Sequence, residues 1–180
     1  PCLIGVDEAG RGPLAGPLSI AALFVRDKKI LRFFSCVKDS KKLSEKKREE
    51  WFLKIQQTAR LGLLSFEVAL VPAAEIDAKG MSYSLKEGVS RALARFVPEK
   101  KRVLVLLDGT LHAPKEFLHQ AMLIKGDERE RVIALASIIA KVTRDRLMKK
   151  MACQYPGYGF EVHKGYGTKA HYRAIQKNGI

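Results

Sequence analysis

Residues 2–17, CLIGVDEAGRGPLAGP, decide the fold of this chain. The apolar run at 2–6 predicts a buried strand. Two adjacent acids, Asp7 and Glu8, stand at its carboxyl end, and a turn follows in which Gly10 and Gly12 flank Arg11. Neighbouring strand residues point to opposite faces, so both acids serve one site only if the strand ends with them. Gly10 and Gly12 favour such an ending, because glycine accepts positive φ and lets backbone approach a ligand closely. Carboxylates are hard oxygen ligands suited to Mg²⁺ or Mn²⁺. Arg11, a bidentate donor on exposed backbone, suits a phosphate or a sugar hydroxyl. An acid pair alone would describe an ordinary solvated strand end. The Gly-Arg-Gly-Pro behind it is what points to a site.

Working outward, residues 18–25 (LSIAALFV) form a second apolar segment, close enough to pair antiparallel with the first. A third strand is expected at 61–71. Between them, DSKKLS at 39–44 precedes a helix over 45–60, with Ser44 as its N-cap. Ser40 and Lys41 there are candidates to meet a phosphate at the helix entrance, although an ordinary charged helix start has the same composition. A helix from about 84 carries Leu85, Val89, Ala92, Leu93 and Phe96 on one face. The run 103–107 is apolar throughout, the pattern of a central strand covered on both faces, and it ends in Asp108. Open α/β sheets place ligands at such carboxyl ends, while a turn aspartate before glycine is equally common. A strand at 121–124 then ends in Lys125-Gly126-Asp127.

Residues 132–142 are apolar nearly all round and predict a buried helix. Ser137, Lys141 and Asp145 recur every four residues and so share one face. Facing the acids would explain such a stripe. For Asp145 the plainer expectation is a helix-end ion pair with Arg144 or Arg146. The tail at 155–172 interleaves glycine, aromatics and cations, which suits stacking beside phosphate contacts. Thr168 reads as the N-cap of a last helix reaching about 177.

The chain has 180 residues, is 47% hydrophobic and carries a net charge of +14, which attracts polyanions, nucleic acid above all. Three widely spaced cysteines without a CxxC argue against a disulfide framework or a zinc site and favour the cytoplasm. Neither a signal peptide nor a membrane-length apolar run is present.

Acids at three predicted strand ends, with GVDEAGRGPLAGP at 5–17, KGD at 125–127, ASIIAKVTRD at 136–145 and YPGYGFEVHKGYGT at 155–168, closely resemble bacterial ribonuclease HII, a type 2 ribonuclease H. The likeness covers essentially the whole chain. The segment at 81–84 departs from the family pattern. The resemblance implies an α/β, ribonuclease H-like fold: a mixed central sheet flanked by helices, in one domain over 1–180. Residues from about 150 would form a small helical and loop segment that contacts substrate.

It further implies that Asp7, Glu8, Asp108 and Asp127 hold divalent metal, Mn²⁺ or Mg²⁺, and carry the catalysis. Gly10, Arg11 and Gly12 would read the ribonucleotide 2′-hydroxyl, and Tyr166 would stack beside the following deoxyribose. Ser40, Lys41 and Lys141 are further substrate-binding candidates. The expected activity is endonucleolytic: it cuts the RNA strand of RNA–DNA hybrids, or 5′ to ribonucleotides embedded in duplex DNA, and leaves 5′-phosphate and 3′-hydroxyl ends. Two metal ions would serve the in-line displacement. The partners expected are those duplexes, with the protein a monomer, no membrane, and room for a sliding-clamp contact through a terminus outside these residues. Two alternatives remain at this level. A DNA nuclease or recombinase of the same fold gives Arg11 no reason to sit between glycines. A non-catalytic nucleic-acid-binding domain explains the charge but not the acids.

Overall fold

In the computed structural model, which describes residues 2–35, 37 and 43–179, the opening apolar run forms β1 (Cys2–Ala9) at the centre of a five-stranded sheet. The others are β2 (Leu18–Val25), β3 (Leu64–Val71), β4 (Val103–Asp108) and β5 (His119–Leu123), in the order β3-β2-β1-β4-β5. β1 pairs antiparallel with β2 from Leu3↔Val25 to Ala9↔Ser19, and β2 pairs antiparallel with β3. On its other edge β1 runs parallel to β4 from Cys2↔Val103 to Val6↔Leu107, and β4 runs parallel to β5. This is the mixed sheet that the sequence predicted. Ser40 and Lys41 lie outside the described residues.

Strand alternation divides the core in two. Leu3, Ala21 and Leu23 face α1 (Glu45–Arg60) and α5 (Arg131–Gln154), packing on Phe52, Ile55, Val132 and Leu135. Ile4, Val6, Ile20 and Leu107 face the opposite way, onto Val89, Ala92 and Leu93 of α3 (Met81–Leu93). α2 (Ala73–Lys79) precedes α3, α4 (Gly126–Arg129) is a single turn before α5, and α6 (Phe160–His163) and α7 (Lys169–Asn178) close the chain. α5 lies directly on β1, because Gly5 offers no side chain: a Cβ there would overlap the Val132 carbonyl group.

The predicted caps are present. Ser44 Oγ accepts from Lys47 N–H at 3.2 Å, and Thr168 Oγ1 accepts from His171 N–H at 3.2 Å. Some boundaries differ from the sequence reading. β3 begins at Leu64 rather than 61, since the N–H groups of Leu61 and Leu63 still close the end of α1 on Gln57 and Thr58. β1 runs on to Ala9, past both acids, because β2 keeps pairing with it after β4 has diverged. Among the described residues no helix is long and apolar enough to cross a membrane.

Candidate active site

Asp7 is 2% exposed, on the α5 side of β1 with Leu3 and Gly5. Its Oδ1 accepts the Glu8 N–H at 2.7 Å, and the Ser137 side chain of α5 hydrogen-bonds it as well. Oδ2 is buried without a hydrogen-bond partner among the described residues. Burial pushes the Asp7 pKa well above the usual carboxylate value. The charges of Glu8 and Asp108 push it further, against the pull of Ser137 and the Glu8 amide. Ser137 is thus where the polar stripe of α5 meets the acids.

Glu8 corrects the expectation for this strand. Because β1 does not end at the acids, Glu8 lies on the opposite face from Asp7, with Ile4 and Val6. Its Oε1 meets Arg11 Nε at 2.8 Å, and Arg11 Nη1 donates to Thr110 Oγ1 at 3.4 Å. The arginine of the glycine turn is therefore docked on Glu8 at the mouth of β4.

Asp108 ends β4 as predicted, and its Oδ1 accepts the Gly126 N–H at 2.6 Å. Asp127 follows Gly126 directly, but in the first turn of α4 rather than at a strand end. β5 stops at Leu123, and Lys125, at φ 53°, turns the chain into that helical turn. Asp127 is 3% exposed. So Asp7 feels the charges of Asp108, across adjacent parallel strands, and of Glu8, whose side chain stands on the other face, while Asp127 follows in sequence the Gly126 that bonds Asp108. Among the described residues no three His, Cys, Asp or Glu side chains form a closed metal-ligand set. The donors nevertheless suit a hard divalent cation: a buried carboxylate oxygen without a hydrogen bond lies beside like charges that a cation would neutralise.

Tyr166 stands beside the glycine turn. A Cβ on Gly12 would lie 3.7 Å from its Cε1, and the residue is 41% exposed. Lys141 Nζ lies 5.5 Å from the ring centroid and 2.8 Å from Asp145 Oδ1. Asp145 pairs with Lys141 and, at 3.9 Å, with Arg48, not with Arg144 or Arg146. Arg146 turns to Glu49 instead. The tail is fixed from beneath by two stacked imidazoles, His163 and His171, with centroids 4.4 Å apart. His163 Nδ1 accepts from Gly165 N–H, so its proton sits on Nε2, 2.7 Å from the Tyr158 carbonyl oxygen. His171 Nδ1 donates to the Tyr166 carbonyl oxygen at 3.0 Å.

Sequence reasoning named Arg144 only as an ion-pair partner of Asp145 and missed what it does. Its side chain is completely buried, and its nitrogens donate to the carbonyls of Pro17, Lys164 and Ala15 at 2.9, 2.9 and 3.0 Å. No local signal marks it, because Arg144 stands among Lys141, Asp145, Arg146 and Lys149 in the charged half of α5, and only the fold buries it.

A family model described as Ribonuclease HII matches residues 4–180. A relative from Fusobacterium nucleatum named Ribonuclease HII is 44% identical over 181 residues, 98% of this chain and 80% of its own length. One of the same name from Coxiella burnetii is 43% identical, over 99% of this chain and 83% of its own. Among solved structures, that of the PCNA:RNase HII complex from Archaeoglobus fulgidus superposes with TM-score 0.78 at 29% identity, covering 98% of this chain and 87% of that one. Ribonuclease H2 from Pyrococcus horikoshii gives 0.75 at 29%, covering 100% and 90%. The fold is ribonuclease H-like.

Proposed function

The chain belongs to the ribonuclease HII family, ribonucleases H that act on RNA–DNA hybrids, and from that we propose that it also cuts 5′ to ribonucleotides embedded in duplex DNA. The observation that carries this reading is the juxtaposition of the buried, mutually repelling acids with the Gly10–Arg11–Gly12 turn and the exposed Tyr166 ring. A 2′-hydroxyl is the one backbone feature that separates RNA from DNA, so discrimination must act through groups that reach it.

Asp7, Glu8, Asp108 and Asp127 are the residues that would hold Mn²⁺ or Mg²⁺. Such ions, when bound, relieve charge on the phosphodiester and lower the pKa of the attacking water. The remaining work falls to side chains. Ser137 holds the Asp7 carboxylate in place. Gly126 N–H fixes the rotamer of Asp108. Arg11, released from Glu8 onto substrate, supplies a forked donor to the sugar-phosphate next to the scissile bond. Gly12 leaves the main chain open toward the sugar. Tyr166 offers its ring to the following deoxyribose, and Lys141 beside it a cation to the phosphate. Water attacks in line, the 3′-oxygen leaves, and the products carry 5′-phosphate and 3′-hydroxyl ends. A sliding-clamp contact is the partner reading, supported by the Archaeoglobus fulgidus relative solved with PCNA.

The test is cleavage of three end-labelled duplexes of one sequence: all DNA, DNA with one ribonucleotide, and RNA–DNA hybrid, each with Mn²⁺, Mg²⁺ or EDTA. Cleavage 5′ to the single ribonucleotide and within the hybrid, none of DNA, and none in EDTA is the expected pattern. Asp108→Asn should lose at least about 10²-fold in kcat while its hybrid Kd changes little, because binding rests on phosphate contacts. Cutting of the all-DNA duplex would overturn the reading.

A further inference from the structure

Arg144 takes no part in the chemistry above, yet it is among the largest completely buried side chains in the protein. It lies beneath the junction of two segments far apart in sequence. Ala15 and Pro17 belong to the glycine-rich loop after β1, and Lys164 to the tail that carries Tyr166. One guanidinium bridges their carbonyls, and its Cζ lies 6.0 Å from the Tyr166 ring centroid. Leu14 and Ala15 N–H donate to the Gly165 carbonyl oxygen at 2.9 and 3.3 Å, closing the same seam by backbone.

The surroundings are built to this side chain. Gly10, at φ +116°, would place a Cβ 2.7 Å from Arg144 Nε and 2.7 Å from the Pro17 carbonyl oxygen. Gly16, at φ +93°, would place one 3.3 Å from Arg144 Nη2 and against Met148 Sδ. Gly10 is therefore glycine on account of the guanidinium as well as the turn, which the reading of open backbone for a ligand did not foresee. Lys164 holds a left-handed φ of 52°, unusual for a side-chain-bearing residue, and its carbonyl accepts from the fork.

Among the described residues no carboxylate bonds to this guanidinium. A cation buried with carbonyls as its only hydrogen-bond acceptors is a costly way to fill a core that an apolar side chain could fill. What the fork adds is fixed geometry: its donors are planar and rigid, so the carbonyls of both segments hold one spacing.

We propose that Arg144 is a positioning residue that fixes Tyr166 against the Gly10–Arg11–Gly12 turn, and so sets the enzyme's preference for an RNA-to-DNA junction over a continuous RNA run. This rests on the reading of that turn and Tyr166 as the ribonucleotide-reading groups.

The experiment compares kcat/KM on a single-ribonucleotide duplex and on a full hybrid for wild type, Arg144→Lys, Tyr166→Ala and the double variant. Arg144→Lys keeps the charge and loses the fork. The junction preference should fall about 10-fold in Arg144→Lys, as a small misplacement does in a positioned site, with the rise in Tm on adding Mn²⁺ retained. In the Tyr166→Ala background, Arg144→Lys should lower the preference no further, since both changes act through one ring. Equal loss on both substrates, or effects that add, would overturn the proposal. If Tyr166→Ala itself leaves the preference intact, the reading of the tyrosine fails, which is a different result. Arg144→Gln, which retains two N–H groups, is the second variant. Should neither variant fold, Arg144 serves stability alone and the proposal is wrong.

Discussion

At the scale of single residues, the site stores unfavourable electrostatics in Asp7. Its pKa is raised, so the folded state binds that proton more tightly than the unfolded chain does. The stabilisation from this proton is complete below the ordinary carboxylate pKa of about 4. It is lost as pH rises through the higher folded value. In EDTA the protein should therefore lose stability from about pH 4 upward on Asp7's account. Asp7→Asn, nearly isosteric and uncharged, should lack that loss and melt higher than wild type at neutral pH while being inactive. Melting curves for both proteins across pH in EDTA check this. Parallel curves would mean that Asp7 is not strained by its neighbours. The acids themselves were legible, because Asp7, Glu8 and Asp108 adjoin apolar runs that the alternation rules locate. Their facing was not. It depends on β2 pairing as far as Ala9, a long-range choice that no local pattern reveals. Arg144 was hidden for the same reason: its carbonyl partners lie 127, 129 and 20 residues away.

At the scale of elements, the site is held by the contact of α5 with β1. That contact places Ser137 on Asp7 and Arg144 beneath the loop. Gly5 permits it, so Gly5→Ala should force the helix outward and cost about 1–3 kcal/mol by overpacking, read as a lower urea midpoint. A change under about 0.5 kcal/mol, the usual range for surface substitutions, would mean that α5 yields freely. The sequence reading located α1 and β2 at their observed bounds, since β2 is one apolar run stopped by the charges at 26–29 and α1 has a helical stripe behind its Ser44 cap. β5 begins two residues earlier than predicted and ends one sooner, because the apolar run at 121–124 marks only its second half, and His119 and Gln120 carry no strand signal on this edge. Asp127 was misplaced with it, on a strand end instead of the helical turn that follows Lys125.

At the scale of the whole molecule, the net charge of +14 governs how substrate is met. Affinity for a hybrid, measured with cleavage blocked in EDTA, should weaken at least about 10-fold between about 50 and about 200 mM salt as counterions are released. A flat salt response would place recognition in neutral contacts. The sheet order was not contained in periodicity. It came with the family resemblance, because pairing β1 with β4 across about a hundred residues leaves no local mark.

Acids from β1, β4 and α4 are proposed to hold divalent cations together. The measurement that tests this most directly is the melting temperature of the wild type in saturating Mn²⁺ against EDTA, with Asp108→Asn alongside. A cation that binds only the folded site must stabilise it by mass action, so the wild type should rise by several degrees and Asp108→Asn by much less. A wild-type melting temperature unchanged by Mn²⁺, or an equal rise in the variant, would contradict the account.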